Sequence, residues 1–528
     1  MEMTRPTSQV DAVPTARTAR EILPVLGSLL IALLLAMLDN TIVGTALPTM
    51  VGELGGAQQL LWVVTGYTLT SGISTLILGK AGDLLGRKAT FQASIVLFLL
   101  GSALSGAAQD MVQLALFRGV QGIGAGGLVA GAMAILGEFV LPAERARYQG
   151  LLMAIMPISL LGGPLVGGWI TDNASWRWVF LVNLPLGAIV LVTVWRAVHL
   201  PPRERPKLVI DWWGAILLTI WTTALVLIGS WAHARYAWDS WQILTLAAVF
   251  VVVLAVYVRV ERTAAEPITP LHVLTGRDFA LASVLAFVSG LVMIAAAAFM
   301  APYQQLVQGL SATSSGLLAL PIMAPAVIVS ALLGQIIARN GRIRIYPIVG
   351  MACAALGMVL LALIDAHTGQ AALIMRMIVL GIGIGFTLQV PTLIAQNSVG
   401  LRDMGAAMGM STFLRTMGMS VGAAVLGTIY ASRFTATADE HGGLGPGVPA
   451  DGNNLTPERV QALPAQAQDA VHASVTAGVQ GVFWAGMGCA LLGFVASCLL
   501  RDIRLTTRSQ PKAANSGPAA PQPEEPRA

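Results

Sequence analysis

The chain has 528 residues, 55% of them hydrophobic and 11% charged, with a mean hydropathy of +0.74. Soluble domains carry about 25% charged residues, so the composition argues against a soluble enzyme. It also argues against a disordered chain, which needs low hydrophobicity and high charge. A net charge of +5 fits basic loops on one side of a membrane rather than a nucleic-acid surface, and no nucleic-acid partner is expected.

A membrane span needs about 20 apolar residues, so fourteen spans account for about 290 residues, a little over half the chain. Helices apolar all round are what a bilayer requires, so short loops with Gly, Pro and charge mark the boundaries better than periodicity does. The expected fold is therefore an all-α polytopic membrane protein with 14 transmembrane helices.

Residues 1–20 form a polar tail expected to be disordered and cytoplasmic. The first apolar run, Ile22 to Leu38, is long for a signal peptide, and Asp39 interrupts it where cleavage would be expected, so it is taken as a retained first span, 23–47. Asp39 is the one carboxylate well inside a span; Glu138 sits near a span end. A charge at the bilayer centre costs roughly 2.5–3.5 kcal/mol on insertion scales. Burial also disfavours the charged form, which suits a group that exchanges protons. The bland alternative is a structural carboxylate bonded to Thr41 or a backbone amide.

Span two, 60–79, leads into GKAGDLLGRK, Gly79 to Lys88. Asp83 and Arg87 stand four apart and can pair on one helical turn. Gly79 and Gly86 permit a tight turn, and Asp83 suits a neighbouring helix N-terminus. A latch between moving parts is the reading; an ordinary basic loop would not explain the Asp or the glycines. Span three is 89–108. Span four, 111–136, contains RGVQGIGAG, in which Arg118 needs a partner and Gly119, Gly122, Gly124 and Gly126 allow close helix approach. Gln121 adds a polar group one residue off the Arg118 face. The G-x-G-x-x-G at Gly122, Gly124 and Gly127 has no preceding strand, so it is not a dinucleotide site.

Span five, 149–170, holds GGPLVGG. Pro164 removes a donor and bends the helix, and Gly163, Gly167 and Gly168 permit close packing. Span six, 178–198, opens with Trp176-Arg177-Trp178, read as interfacial anchors like Trp231, Tyr236, Trp238 and Trp241. Spans at 212–230 and 242–258 precede spans at 279–304, 315–338, 345–364, 371–395, 405–430 and 478–500. Arg376 and Arg415 lie inside the twelfth and thirteenth, with polar-cavity or structural roles. An outer loop over 432–477 is expected to carry a short helix from Thr456, and 506–528 is a disordered cytoplasmic tail.

An internal repeat organises this list. GQIIARNGRI, Gly334 to Ile343, repeats GKAGDLLGRK, and Arg376 with Gly381, Gly383 and Gly385 repeats Arg118 with its glycines. In each copy the first Gly precedes the Gly-Arg pair by seven residues. The offset of eight spans implies a six-helix bundle over 21–200, two inserted helices over 201–265 and a second six-helix bundle over 266–505. Parallel repeats of this sort place a binding site between the halves. Ala338 replaces the Asp in the second copy, so the latch is asymmetric. Of 31 basic residues, 24 fall in segments assigned to the cytoplasm, four outside and three within spans. Both termini are thus expected inside.

Three cysteines in apolar runs and six scattered histidines indicate no disulfide framework and no metal site. No nucleophile–base set or phosphate loop appears, so neither a cofactor nor an enzyme is expected.

LDNTIVGTALP (Leu38 to Pro48), GKAGDLLGRK, RGVQGIGAG, GGPLVGG and WRWVFLVNLP (Trp176 to Pro185) together resemble the major facilitator superfamily, in particular its fourteen-span drug:proton antiporters, over about 20–505. The resemblance implies the major facilitator fold in a cell inner membrane. It implies proton coupling through Asp39 and Arg118, a cytoplasmic gating motif of Gly79, Asp83, Gly86 and Arg87, and an antiport motif of Gly163, Pro164, Gly167 and Gly168. This chain departs from common patterns at Gly44-Thr45 and Ser159, and span ten lacks the acidic residue of some dication exporters. The expected function is proton-coupled export of amphipathic small molecules or drugs by alternating access, with protons, substrate and the lipid bilayer as partners. Export of one metabolite, antibiotic or lipid is the nearest alternative, and a non-transporting receptor or scaffold the alternative of another class. The outer loop is long enough to meet a periplasmic adaptor, though nothing in it requires one.

Overall fold

The computed structural model describes residues 19–55, 60–140, 142–199, 211–232, 236–264, 267–269, 276–310, 312–365, 367–399, 403–441 and 460–501. They are mostly helical, with an isolated bridge between Ala232 and Tyr236. In chain order the long helices are α1 (Ala19–Leu54), α2 (Leu60–Leu85), α3 (Arg87–Gly106), α4 (Met111–Phe139), α5 (Pro142–Asn173) and α6 (Trp178–Ala197, interrupted at Val182). There follow α7 (Trp212–Trp231), α8 (Trp241–Thr263), α9 (Arg277–Pro302), α10 (Leu320–Asn340), α11 (Ile345–Ala362), α12 (Gln370–Asn397), α13 (Met404–Glu440) and α14 (Ala465–Cys498).

Twelve of these helices are long and apolar enough to cross a membrane. Of the fourteen spans expected, these twelve are shown among the described residues; α2 and α5, which include side chains outside those described, are not among them. The hydroxyl groups of α2 turn back onto its own backbone: Thr68 donates to the Val64 carbonyl at 3.0 Å and Thr75 to that of Ser71 at 2.7 Å. Such bonds satisfy the polar groups without water. A correction concerns the loop expected over 432–477. Helix α13 continues to Glu440 and α14 starts at Ala465, so both extend well past the apolar stretches that defined the spans. The helix start expected at Thr456 lies outside the described residues, as do the tails 1–18 and 502–528.

The two halves pack in the same pattern. Helix α1 lies on α5, α4 on α2 and α3, and α6 on α1 and α3; likewise α9 lies on α13, α12 on α10 and α11, and α14 on α9 and α11. Glycines set both copies. A Cβ on Gly122 would sit 2.5 Å from the Tyr67 carbonyl oxygen of α2, and one on Gly124 2.3 Å from the Phe98 nitrogen of α3. In the second half, Gly381 meets the Ile322 carbonyl of α10 at 2.3 Å and Gly383 the Ala354 nitrogen of α11 at 2.4 Å. The turns repeat too: Gly86 between α2 and α3 has φ +105° and Gly341 between α10 and α11 has φ +65°, a region that only glycine enters freely. Between the halves, α2 packs on α13 and α5 on α10, pairs that the repeat interchanges. The inserted helices α7 and α8 pack on each other, and α7 also touches α2 and α13.

Candidate functional site

Asp39 stands midway along α1 and is 1% exposed; Arg118, in the second turn of α4, is 0% exposed. The Arg118 Nη1 donates to Asp39 Oδ2 in a buried ion pair. The other carboxylate oxygen, Oδ1, accepts from Gln121 Nε2 and from Asn183 Nδ2, each at 2.8 Å. Both amides also donate to Ser102 Oγ, at 2.7 and 2.8 Å. Arg118 is held further by Gln121 Oε1 at 2.8 Å, the Val63 carbonyl at 3.4 Å and the Tyr67 ring, 3.9 Å from its Cζ. Tyr67 in turn donates to the Ala36 carbonyl at 2.5 Å. The cage thus draws on α1, α2, α3, α4 and α6, all in the first half.

Every partner aimed at Asp39 is an obligate donor: one guanidinium and two amide NH2 groups. The cage therefore fits the ionised carboxylate. A protonated Asp39 would bring a donor of its own and has to give up at least one of these contacts. Three expectations change here. Thr41 does not hold Asp39; its hydroxyl donates to the carbonyls of Leu38 and Ser159, both at 2.9 Å. Gln121 lies on the Arg118 face, because residues three apart on a helix are neighbours. Trp176, read as an interfacial anchor, is buried, with its Nε1 donating to Glu53 Oε2 at 2.7 Å beside the Glu53–Arg177 pair.

The second cluster lies where α2, α3, α4 and α13 meet. Asp83 accepts from Arg87 Nη2 at 3.0 Å and, across the halves, from the backbone N–H groups of Gly405 at 3.1 Å and Ala406 at 3.0 Å. These are first-turn amides of α13, which lack partners within their own helix. Arg87 Nη1 also reaches the Ala134 carbonyl at 3.0 Å and Glu138 Oε2 at 2.9 Å. Gly79 faces Gly405 so closely that a Cβ on Gly405 would sit 2.4 Å from the Gly79 carbonyl oxygen. Burial pushes the Asp83 carboxyl up to about 6, against the opposing pull of Arg87 and the two amides.

In α5, Gly163 and Gly167 bring the helix onto α1: Cβ atoms there would lie 2.0 Å from Thr41 Oγ1 and 2.3 Å from Thr45 Oγ1. Among the described residues Gly168 has nothing within 4 Å, unlike the packed face expected for it; it is one residue, about 100°, round from Gly167. Helix α5 runs unbroken through Pro164. Arg376, the repeat counterpart of Arg118, is half-buried, and among the described residues it forms no ion pair; its Nη1 has no hydrogen-bond partner there. The sequence of α9 from Phe279 on offers no carboxylate to match Asp39. Arg415 is 7% exposed and borders a cavity of about 20 Å³ whose other walls belong to α1, α4 and α5. Drug-sized sites need about 300–1,000 Å³, so the halves are closed together here.

The sequence reading missed Asn183, Ser102, Tyr67 and Glu138 as partners. Asn183 carried a signal, an amide in the otherwise apolar run WVFLVNLPLGAIVLV. Ser102 and Tyr67 carried none, since such residues are common in spans.

A model of the Major Facilitator Superfamily matches residues 29–423. An uncharacterized MFS-type transporter of Mycobacterium tuberculosis is 37% identical over 91% of this chain and 69% of its own. The multidrug transporter protein MdtP of Bacillus subtilis is 35% identical over 77% of this chain and 74% of its own. The crystal structure of the human organic anion transporter MFSD10 superposes with a TM-score of 0.62, over 91% of this chain and 100% of that one. At 13% identity that likeness is one of fold.

Proposed function

Since the chain belongs to the Major Facilitator Superfamily, and so is a multi-pass membrane transporter rather than an enzyme, we propose that it exports amphipathic small molecules from the cytoplasm in exchange for protons. The single observation that carries this reading is the Asp39–Arg118 pair. It is sealed from water and ties α1 to α4, the two helices whose other residues (Leu33, Met37, Val129, Met133) wall the cavity between the halves.

Protonation of Asp39 removes the charge that balances Arg118 and adds a donor to a cage of donors. The pair separates, α1 and α4 shift, and the cavity wall shifts with them. Gly163 and Gly167 seat α5 on α1, so α5 follows. In this reading the Asp83 cluster lies at the cytoplasmic face, both termini are cytoplasmic, and the closed Asp83 end makes this the state that releases cargo outward. Helices α2 and α5 cross the membrane as well, giving fourteen spans in two six-helix halves around α7 and α8. The coincidence of α2–α13 and α5–α10 contacts across a repeat supports this, because rocking of two parallel halves opens one end while the other closes.

In inverted membrane vesicles an imposed pH gradient should drive dye accumulation that collapses when nigericin dissipates the gradient. Accumulation indifferent to the gradient would refute proton exchange.

A further inference from the structure

One charge of the central layer lies across the cleft from the Asp39 cage. Arg415 of α13 borders the cavity between the halves, and the opposite wall is apolar: Leu33 and Met37 from α1, Val129 and Met133 from α4. Among the described residues no other charged side chain lines it. The position of Arg415 is fixed by its backbone. Gly290 of α9 approaches so closely that a Cβ there would sit 2.0 Å from the Arg415 carbonyl oxygen, and Gly418 seats the next turn on Phe287 in the same way. Its Nη1 donates to the Leu388 carbonyl of α12 at 3.4 Å. The guanidinium is thus placed by two neighbouring helices at a wall of the cleft.

The surrounding stretches hold no carboxylate that would serve a cation. Residues 22–38, 119–137, 149–171 and 404–438 contain no Asp or Glu. Asp39, the nearest acid in sequence, points into its own cage and is 1% exposed. An ionisable side chain retained inside a membrane marks a substrate or ion path by default. A cation entering this cleft meets a like charge in a poorly screened setting; an anion meets a donor suited to carboxylate or sulfonate.

We infer that the cargo is an anionic amphipath, with its apolar body on the Leu33, Met37, Val129 and Met133 wall and its acidic group on Arg415. The inference rests on the export reading and adds a consequence for the driving force. With one proton inward per molecule outward, an anion moves two charges across the membrane per cycle and a monovalent cation none. Export of an anion therefore responds to the membrane potential as well as to the pH gradient.

The test uses the full-length protein in proteoliposomes, inverted so that cargo is taken up, with the pH gradient fixed and the potential set by potassium and valinomycin. The probes are anilinonaphthalene sulfonate, an anion, and ethidium, a cation. Wild type should accumulate the sulfonate, faster with a positive lumen, and favour it over ethidium. Arg415→Gln should reduce sulfonate uptake at least tenfold and raise ethidium uptake, while Arg415→Lys retains most sulfonate uptake. Val129→Glu, which places a carboxylate on the opposite wall, keeps the question open to test should Arg415→Gln fail to fold; it should lower sulfonate and raise ethidium uptake. Uptake of ethidium in preference to the sulfonate, or equal sulfonate rates in wild type and Arg415→Gln, overturns the inference and leaves the export reading standing. Sulfonate binding that is lost in Arg415→Gln, with no gradient-driven uptake of either dye, sustains the inference and overturns the export reading.

Discussion

At the scale of single residues, the Asp39 cage separates two kinds of contribution. Arg118 contributes geometry as much as charge. Its fork reaches Asp39, Gln121 and the Val63 carbonyl at once, and an ammonium on a flexible stem lacks that planar arrangement. Arg118→Lys is therefore expected to fold yet lose at least about tenfold in proton-driven transport; full activity would reduce Arg118 to a point charge. Asn183 contributes donors only. Asn183→Ala removes the bonds to Asp39 and Ser102 and should cost about 1–3 kcal/mol of stability, read as a lowered unfolding temperature in detergent. A change below about 0.5 kcal/mol, the usual size for an inconsequential surface position, would mean the amide is dispensable. Asp39 and Arg118 were legible in the sequence because charge inside an apolar run stands out. Their mutual contact was not, because it joins residues 79 positions apart, and spacing along one helix says nothing about its neighbour.

At the scale of elements, the joint between α2 and α13 is the part whose chemistry depends on pH. Asp83 lies in the last turn of α2, past its apolar stretch, and its carboxyl is raised from 3.8 to about 6 by burial. With the halves parted and Asp83 wet, its ordinary value returns. Between about pH 4 and 6 the closed joint holds a proton that the open joint has released, so closure is favoured in acid and this advantage is lost as pH rises through 6. In a cysteine-free background, Met404→Cys should label less readily with an impermeant maleimide as pH falls over that window, and Asp83→Asn should abolish the dependence. Labelling that rises in acid would reverse the sign and refute the account of the joint. Gly405→Ala tests the same closure by size. Its Cβ would collide with the Gly79 carbonyl and with Asp83 Oδ2 at 2.7 Å, which leaves the backbone no room. Overpacking of this kind costs about 1–3 kcal/mol, so labelling at 404 should increase at every pH; labelling equal to that of the parent would show that the halves do not close on this glycine. The sequence foresaw Asp83 at a neighbouring helix N-terminus from residue chemistry alone. That the helix belongs to the other half, and that Glu138 shares Arg87, depends on how the bundles dock.

At the scale of the whole molecule, the repeat was the most informative feature of the sequence, because glycines that permit close approach recur at fixed offsets and the packing of α1–α6 recurs in α9–α14. Both α2 and α5 pack across the halves, on α13 and α10. The two halves are not equal in chemistry. The first holds the Asp39–Arg118 pair and the second holds Arg376 with no carboxylate in α9 from Phe279 on, so the proposal assigns protons to the first half, while Arg415, which borders the cleft, comes from the other. The most direct measurement of that central claim is uphill transport by Asp39→Asn in proteoliposomes under an imposed pH gradient, beside downhill exchange of the same dye. The account predicts that Asp39→Asn inserts, still exchanges dye down its gradient, and fails to concentrate it. Accumulation by Asp39→Asn at the wild-type rate would contradict the account, since the proton would then be carried elsewhere.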